Sequence, residues 1–276
     1  AYVDAGWDDP PAIRIKDPEG QVTRASLPKL PESFPAKHLI EPQLVEFPAA
    51  DGQRAYGQLF VPEDPTGCSV IFPHGGPRRA MLPGFHYYDT YSVLYELNQY
   101  LASHGCVVLS VDYRGGIMHG YDFRNAPGRG GTSASEYRDI LGGVNFLRAR
   151  LDVDPDEMAI HGLSWGGYIA SLAVARNSDI FRVSFDIAGV HDAAIAEIDG
   201  LTSPIMVVHG DDDRNVDFKD SVDLAQALAT RRPETKFVQR AYPNEMHEIY
   251  MTHEHLVDTY NGGAQFLLDH LPKVGS

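Results

Sequence analysis

The chain alternates short, largely apolar runs with longer segments whose apolar residues recur every three or four positions. The runs at 69–72, 107–111, 158–161, 183–187 and 205–209 are four or five residues long and rich in Val, Ile and Phe. Runs of that length and composition, bounded by turn residues, read as buried strands. Between them the period changes. Val93, Leu94, Leu97 and Leu101 mark one face of a helix over 90–104 that ends before Gly105. Tyr137, Ile140, Leu141, Val144 and Leu147 do the same for 135–150, and Val222, Leu224, Ala225 and Leu228 for 218–230. Further helices are expected over 168–175 and 256–271, with a last strand at 236–240. Strands at 44–47 and 56–61 flank Asp51-Gly52, a strong hairpin signal. Buried strands alternating with helices predict an α/β fold, a mostly parallel sheet covered on both faces.

The first forty residues depart from this rhythm. Pro10, Pro11, Pro18, Pro28, Pro31 and Pro35 crowd them, and helical periodicity is missing. Segments 13–16 and 22–24 flank Asp17-Pro18-Glu19-Gly20 and read as a short hairpin. A lone hairpin is marginal in water, so it must pack on the body of the protein or on a domain not in this chain. The expected division is an N-terminal extension, 1–43, and a body, 44–276.

A length of 276 residues suffices for one large α/β domain. The formal charge of −15 disfavours nucleic acid and anionic membranes as partners, because both need a basic face. No apolar run approaches the roughly 20 residues of a membrane span, and no signal peptide is visible. A cytoplasmic location is therefore expected, with the reservation that the chain begins at Ala1 rather than Met. Cys68 and Cys106 each sit beside a strand-like run and read as buried free thiols; two cysteines make neither a disulfide framework nor a metal site.

Gly162-Leu163-Ser164-Trp165-Gly166 matches G-x-S-x-G, directly after an apolar strand and directly before a helix. That context forces the serine into a sharp turn that lifts its hydroxyl clear of the sheet. Ser164 is thus the candidate nucleophile. A serine hydroxyl needs a histidine to take its proton, and the histidine needs a carboxylate to fix its tautomer. In this arrangement the chain order is Ser, Asp, His. After Ser164 the strand at 205–209 runs into Asp211-Asp212-Asp213, and spacing alone does not choose among the three. Of twelve histidines, His247 lies in a loop after the last strand and is the candidate base. His253 and His255 read as a surface pair, His161 and His209 as packed strand ends, and His191 as structural or pocket-lining. His74-Gly75-Gly76-Pro77 follows the strand at 69–72, where a Gly-rich loop can offer an N–H to an oxyanion; the N–H of Trp165 would be the second donor. The chemistry calls for no metal and no cofactor.

Together these blocks, with Asp112-Tyr113-Arg114-Gly115, His209-Gly210-Asp211-Asp212-Asp213-Arg214-Asn215-Val216 and Glu245-Met246-His247, resemble the prolyl oligopeptidase family of serine peptidases over about residues 44–271. The dipeptidyl-peptidase and acylaminoacyl-peptidase branches look closest. The resemblance implies an α/β-hydrolase fold, selects Asp213 as the acid, and assigns the oxyanion hole to the N–H groups of Gly76 and Trp165. It places His74, Tyr168, Val190, Asn215 and Val216 around the substrate, with Trp165 adding aromatic wall. Family members carry an N-terminal β-propeller. Residues 1–40 would then be its last strands plus linker, in the catalytic part of a longer protein or a natural remnant of one. The 191–202 stretch is shorter than the family pattern, which implies a more open site. The expected substrate is a short peptide, cleaved through an acyl-enzyme. Alternatives are a small acyl or aryl ester on the same three residues, or a non-catalytic interaction module. A homo-oligomer is compatible with all three.

Overall fold

In the computed structural model, which describes residues 1–25 and 32–271, the apolar runs become the strands of one eight-stranded sheet. Pro28 and Pro31 lie outside the described residues. The elements are β1 (Tyr2–Asp4), β2 (Ala12–Lys16), β3 (Val22–Arg24), β4 (Gln43–Pro48), β5 (Arg54–Phe60), β6 (Gly67–Pro73), α1 (Asp89–Ser103), β7 (Val107–Asp112), α2 (Tyr121–Arg124), α3 (Tyr137–Arg148), β8 (Val153–Leu163), α4 (Trp165–Arg176), β9 (Phe181–Ile187), α5 (Asp192–Ala196), β10 (Ile205–Gly210), α6 (Phe218–Arg231), β11 (Phe237–Tyr242) and α7 (His253–His270). The large sheet has the order β11-β10-β9-β8-β6-β7-β5-β4. The β4–β5 and β5–β7 pairs are antiparallel, and the five pairs from β7 to β11 are parallel.

Side chains alternate between two cores, as the period of two along a strand requires. Ile71, Leu109, Ile160 and Val207 face the core under α3, α4 and α6. Val70, Val108, Ala159 and Val208 face the core under α1 and α7. This two-faced burial explains why these strands read as continuous apolar runs. From β6 the chain moves outward to β7, then returns to the far side of β6 for β8 and proceeds to β9, β10 and β11. The reversal falls between β6 and β8, and ligands of open α/β sheets bind at such a switch point, off the carboxyl ends of the strands.

The N-terminal segment contributes a three-stranded antiparallel sheet rather than a bare hairpin, because Tyr2–Asp4 pairs with β2. It rests on the body. The Gly6 carbonyl accepts from Phe85 N at 3.0 Å, and the Trp7 carbonyl accepts from the Tyr95 hydroxyl at 2.8 Å. Val3, Ile13 and Ile15, which the register puts on one face of this sheet, are exposed, as is Val22 on the other.

Cys68 and Cys106 are not free thiols: they form a disulfide across 38 residues, with Cα atoms 4.7 Å apart. Each directly precedes one member of the registered pair Ser69 and Val107 on neighbouring strands, a lateral proximity that spacing along the chain does not reveal. Disulfides persist in oxidising surroundings, which weighs against the cytoplasmic expectation. A thiol titration of the denatured, unreduced protein should find none of the two sulfhydryls, and both after reduction; two before reduction would refute the bridge. Among the described residues no helix is long and apolar enough to cross a membrane.

Arg114 ties three parts of the body together. Its side chain is 3% exposed and donates to Asp139 on α3 at 2.7 Å and to both oxygens of Asp51 in the β4–β5 turn at 2.7 and 2.8 Å. Asp139 also accepts from the Arg114 backbone N–H at 2.6 Å. Removing one partner of a buried pair leaves an uncompensated charge, so Asp139→Ala is expected to cost about 3–5 kcal/mol in urea unfolding; a loss under about 1 kcal/mol would mean that Asp51 alone satisfies Arg114.

Candidate active site

β8 ends at Leu163 and α4 begins at Trp165, so Ser164 alone makes the turn between them. Its backbone sits at φ 60°, ψ −117°, a conformation that costs about 1–3 kcal/mol and persists only where surroundings impose it. They do so here: Ser164 N donates to the Ile187 carbonyl at 2.8 Å, and the Ser164 carbonyl accepts from Tyr168 N at 2.9 Å. The glycines of the motif are needed for close approach. A Cβ on Gly162 would lie 2.4 Å from the Gly166 carbonyl, and one on Gly166 2.2 Å from the Pro73 carbonyl. The Ser164 hydroxyl takes no hydrogen-bond partner among the described residues.

Asp213 and His247 leave the ends of β10 and β11, strands paired in register through Gly210 and Tyr242. Their loops meet: His247 Nδ1 lies 2.7 Å from Asp213 Oδ2. Asp213 receives three further donors, from Asn215 N at 2.8 Å, Val216 N at 3.0 Å and His209 Nε2 at 3.0 Å. Ser221 Oγ, 2.6 Å from His209 Nδ1, can donate to it and so leave Nε2 as the His209 donor. Burial pushes the Asp213 carboxyl up, but the hydrogen bonds from His209, His247 and Val216 outweigh it and hold the group well below the usual carboxylate range. A fixed carboxylate at Nδ1 of His247 leaves Nε2 as the basic nitrogen. The neighbouring aspartates do other work. Asp211 accepts from Asn244 N at 2.6 Å, and Asp212 pairs with Arg214 at the surface.

The loop after β6 brings Gly75 against the nucleophile: a Cβ there would stand 3.4 Å from Ser164 Cβ. Gly76 follows at φ 129° and is exposed. Neither Gly76 N–H nor Trp165 N–H has an acceptor among the described residues. The second is a first-turn donor of α4, where helix N–H groups lack intrahelical partners.

Two residues expected at the substrate lie inside the protein instead. His74 is fully buried; its Nδ1 donates to the Gly75 carbonyl at 2.7 Å and its ring stacks on Tyr113 at 4.4 Å. Burial lowers its pKa, so it shapes the loop as a neutral ring. Tyr168 is 3% exposed and donates to the Gly131 carbonyl at 2.8 Å. Both follow a motif closely enough to look pocket-lining, but both point into the core. Val190 is half-buried, Asn215 exposed and Val216 buried. Trp165 is half-buried, with Nε1 donating to Glu136 at 3.1 Å. The short 191–202 stretch holds α5 and a 3-10 turn at Ile198–Gly200. His191 is structural: it is fully buried, with Nε2 2.9 Å from Asp186 Oδ2.

Sequence reasoning gave Glu245 no role. It is fully buried and accepts from Met251 N, Thr252 N and His255 Nδ1 at 2.9, 2.9 and 2.8 Å. It therefore pins the loop that carries His247 to the start of α7, and His255 is its partner rather than one of a surface pair. The signal available was its position two residues before His247.

A parallel-rich sheet clothed by helices, with a lone strained serine between a strand and a helix, defines an α/β-hydrolase fold. Residues 93–202 and 193–273 match the model of the Prolyl oligopeptidase family, and the chain belongs to that family. It is 32% identical over 194 residues to human dipeptidyl peptidase 8, a match covering 66% of this chain and 19% of that protein. It is 24% identical over 280 residues to the uncharacterized peptidase YuxL of Bacillus subtilis, covering 87% and 40%. The acylaminoacyl peptidase of Pyrococcus horikoshii superposes with a TM-score of 0.82 at 19% identity, over 99% of this chain and 48% of that one. A Mycobacterium tuberculosis puromycin-hydrolyzing peptidase gives 0.83 at 19%, over 97% and 46%. The chain thus spans less than half the length of each of these relatives.

Proposed function

We propose that the chain is a serine peptidase that cleaves short peptides through an acyl-enzyme. The observation that carries this reading is the 2.7 Å pairing of Asp213 with His247 off the same sheet edge as the strained Ser164. Ser164 Oγ attacks the scissile carbonyl while His247 Nε2 takes its proton. The oxyanion is received by the N–H groups of Gly76 and Trp165, each worth about 2.7–4 kcal/mol in the transition state. His247 returns the proton to the leaving amine, and water then repeats the sequence on the ester of Ser164. Asp213 holds the Nδ1–H of His247 throughout. Val190 and Asn215, off β9 and β10, border the acyl residue. The N-terminal sheet with its exposed Val3, Ile13, Ile15 and Val22 is read as the remnant of a propeller.

An esterase reading shares every one of these groups, and the exposure of Gly76 and Asn215 favours it by leaving the site open to small activated acyl groups. Comparing kcat/KM on peptidyl-p-nitroanilides with that on a p-nitrophenyl ester separates the two. Turnover of the anilides is expected; hydrolysis of the ester with no anilide cleavage would establish the esterase. No labelling of Ser164 by a fluorophosphonate would remove both.

A further inference from the structure

Arg79 follows the oxyanion loop and pairs with no carboxylate among the described residues, in a chain whose formal charge is −15. Its guanidinium is held by aromatic faces instead, with Cζ 4.1 Å from the ring centre of Tyr91 and 5.2 Å from that of Tyr88. Its Nε is buried with no hydrogen-bond partner among the described residues. The Tyr91 hydroxyl borders the nucleophile: a Cβ on Gly75 would lie 2.6 Å from that oxygen and 3.4 Å from Ser164 Cβ. His86, packed on Tyr91, is held neutral because burial, then the charges of Arg79 and His74, lower its pKa to about 4. The adjacent Arg78 is exposed.

The topology assigns this cation a side. The loops of β9 and β10 flank β8 on one side and β6, with Arg79 beyond it, flanks β8 on the other. If the acyl residue lies over β9 and β10, the leaving fragment lies over the β6 loop. The loop that carries the base reaches across to that end: Glu248, next to His247, accepts from the Tyr88 hydroxyl at 2.8 Å, on the tyrosine against which Arg79 packs. The loop of the group that protonates the leaving amine thus meets the wall that holds this cation.

We propose that Arg79 is a specificity-determining residue that captures the carboxylate of the leaving fragment, so that the site favours short peptides whose free C-terminus lies within a residue or two of the scissile bond. A guanidinium pre-set against aromatic rings loses little freedom on forming a two-pronged bond to a carboxylate. The proposal rests on the peptidase reading, and its test separates the two. A mixed tripeptide and tetrapeptide library is offered as free acids and as C-terminal amides, with products counted by mass spectrometry and a peptidyl-p-nitroanilide as the substrate lacking that carboxylate. The wild type is expected to cleave acids about tenfold faster than amides in kcat/KM. Arg79→Gln should abolish that preference with nitroanilide turnover unchanged, and Arg79→Lys should restore part of it. Equal cleavage of acids and amides by the wild type would overturn the proposal, needing no variant. So would a preference that survives in Arg79→Gln, or an equal fall on all three substrates, which would make Arg79 a support for the loop. No cleavage of any substrate would sink the peptidase reading and this proposal with it.

Discussion

Ser164→Ala is expected to lower kcat on peptidyl or ester substrates by about a million-fold while leaving the folded protein intact. The loss is that large because the acyl-enzyme route closes entirely; what survives is the rate from oxyanion donors and substrate binding alone, about 10³–10⁴ over water. His247→Ala should cost a similar factor, and the double variant little more than either, since nucleophile and base act as one unit. Stability should respond in the opposite sense. The backbone at φ 60° is imposed by Ile187, Tyr168 and the packed glycines, so Ser164→Gly, free of Cβ, should unfold at higher denaturant than Ser164→Ala. The measurements are active-site-titrated kcat, with the wild type as reference, and urea unfolding followed by circular dichroism. Retention of activity within tenfold in Ser164→Ala would place the nucleophile elsewhere.

How much of this was legible beforehand depended on the range of the signal. The strands with both faces buried announced themselves as apolar runs, and α1, α3, α4, α6 and α7 as periodic segments, because each signal is written in neighbouring residues. β1 carries no such signal, since Tyr2–Asp4 is exposed and owes its strand state to pairing with β2. α2 and α5, of four and five residues, are too short to show a period. The bridge between Cys68 and Cys106 is illegible in the sequence because it depends on β6 and β7 lying side by side, which no spacing states. At the site, G-x-S-x-G and the chain order pointed at Ser164 and His247, whereas the direction of a side chain leaving a loop was not encoded nearby. The resemblance implies substrate positions for His74 and Tyr168, whereas both point inward. Glu245 and Arg79, which hold or border the site through contacts with α7 and α1, carried no local signal strong enough to single them out.

Asp213→Asn tests the arrangement from its other end. The carboxylate accepts from four donors at once, two imidazoles and two backbone N–H groups. Oδ2 takes both imidazoles and Oδ1 both backbone N–H groups, so an amide, with one acceptor oxygen and a donor nitrogen, sets two of these contacts donor against donor; with the nitrogen in the place of Oδ2 they are those of His209 and His247. The relief available to His247 is to turn its lone pair to the amide at Nδ1 and carry its proton on Nε2, where it cannot accept from Ser164. The expected loss in kcat is about 10⁴-fold near neutral pH, with fluorophosphonate labelling slowed in proportion. The acid response follows from the same contacts. A carboxyl whose pKa falls on folding contributes stability at pH above its unfolded value, and that contribution is lost as pH drops through the folded value. Asp213 is such a group. The gap in unfolding free energy between the wild type and Asp213→Asn should therefore be full at pH 7 and close progressively below about pH 4. A gap that stays constant to pH 2 would mean that the asparagine disturbs packing rather than charge, and activity within tenfold of the wild type would show that His247 finds its tautomer without Asp213.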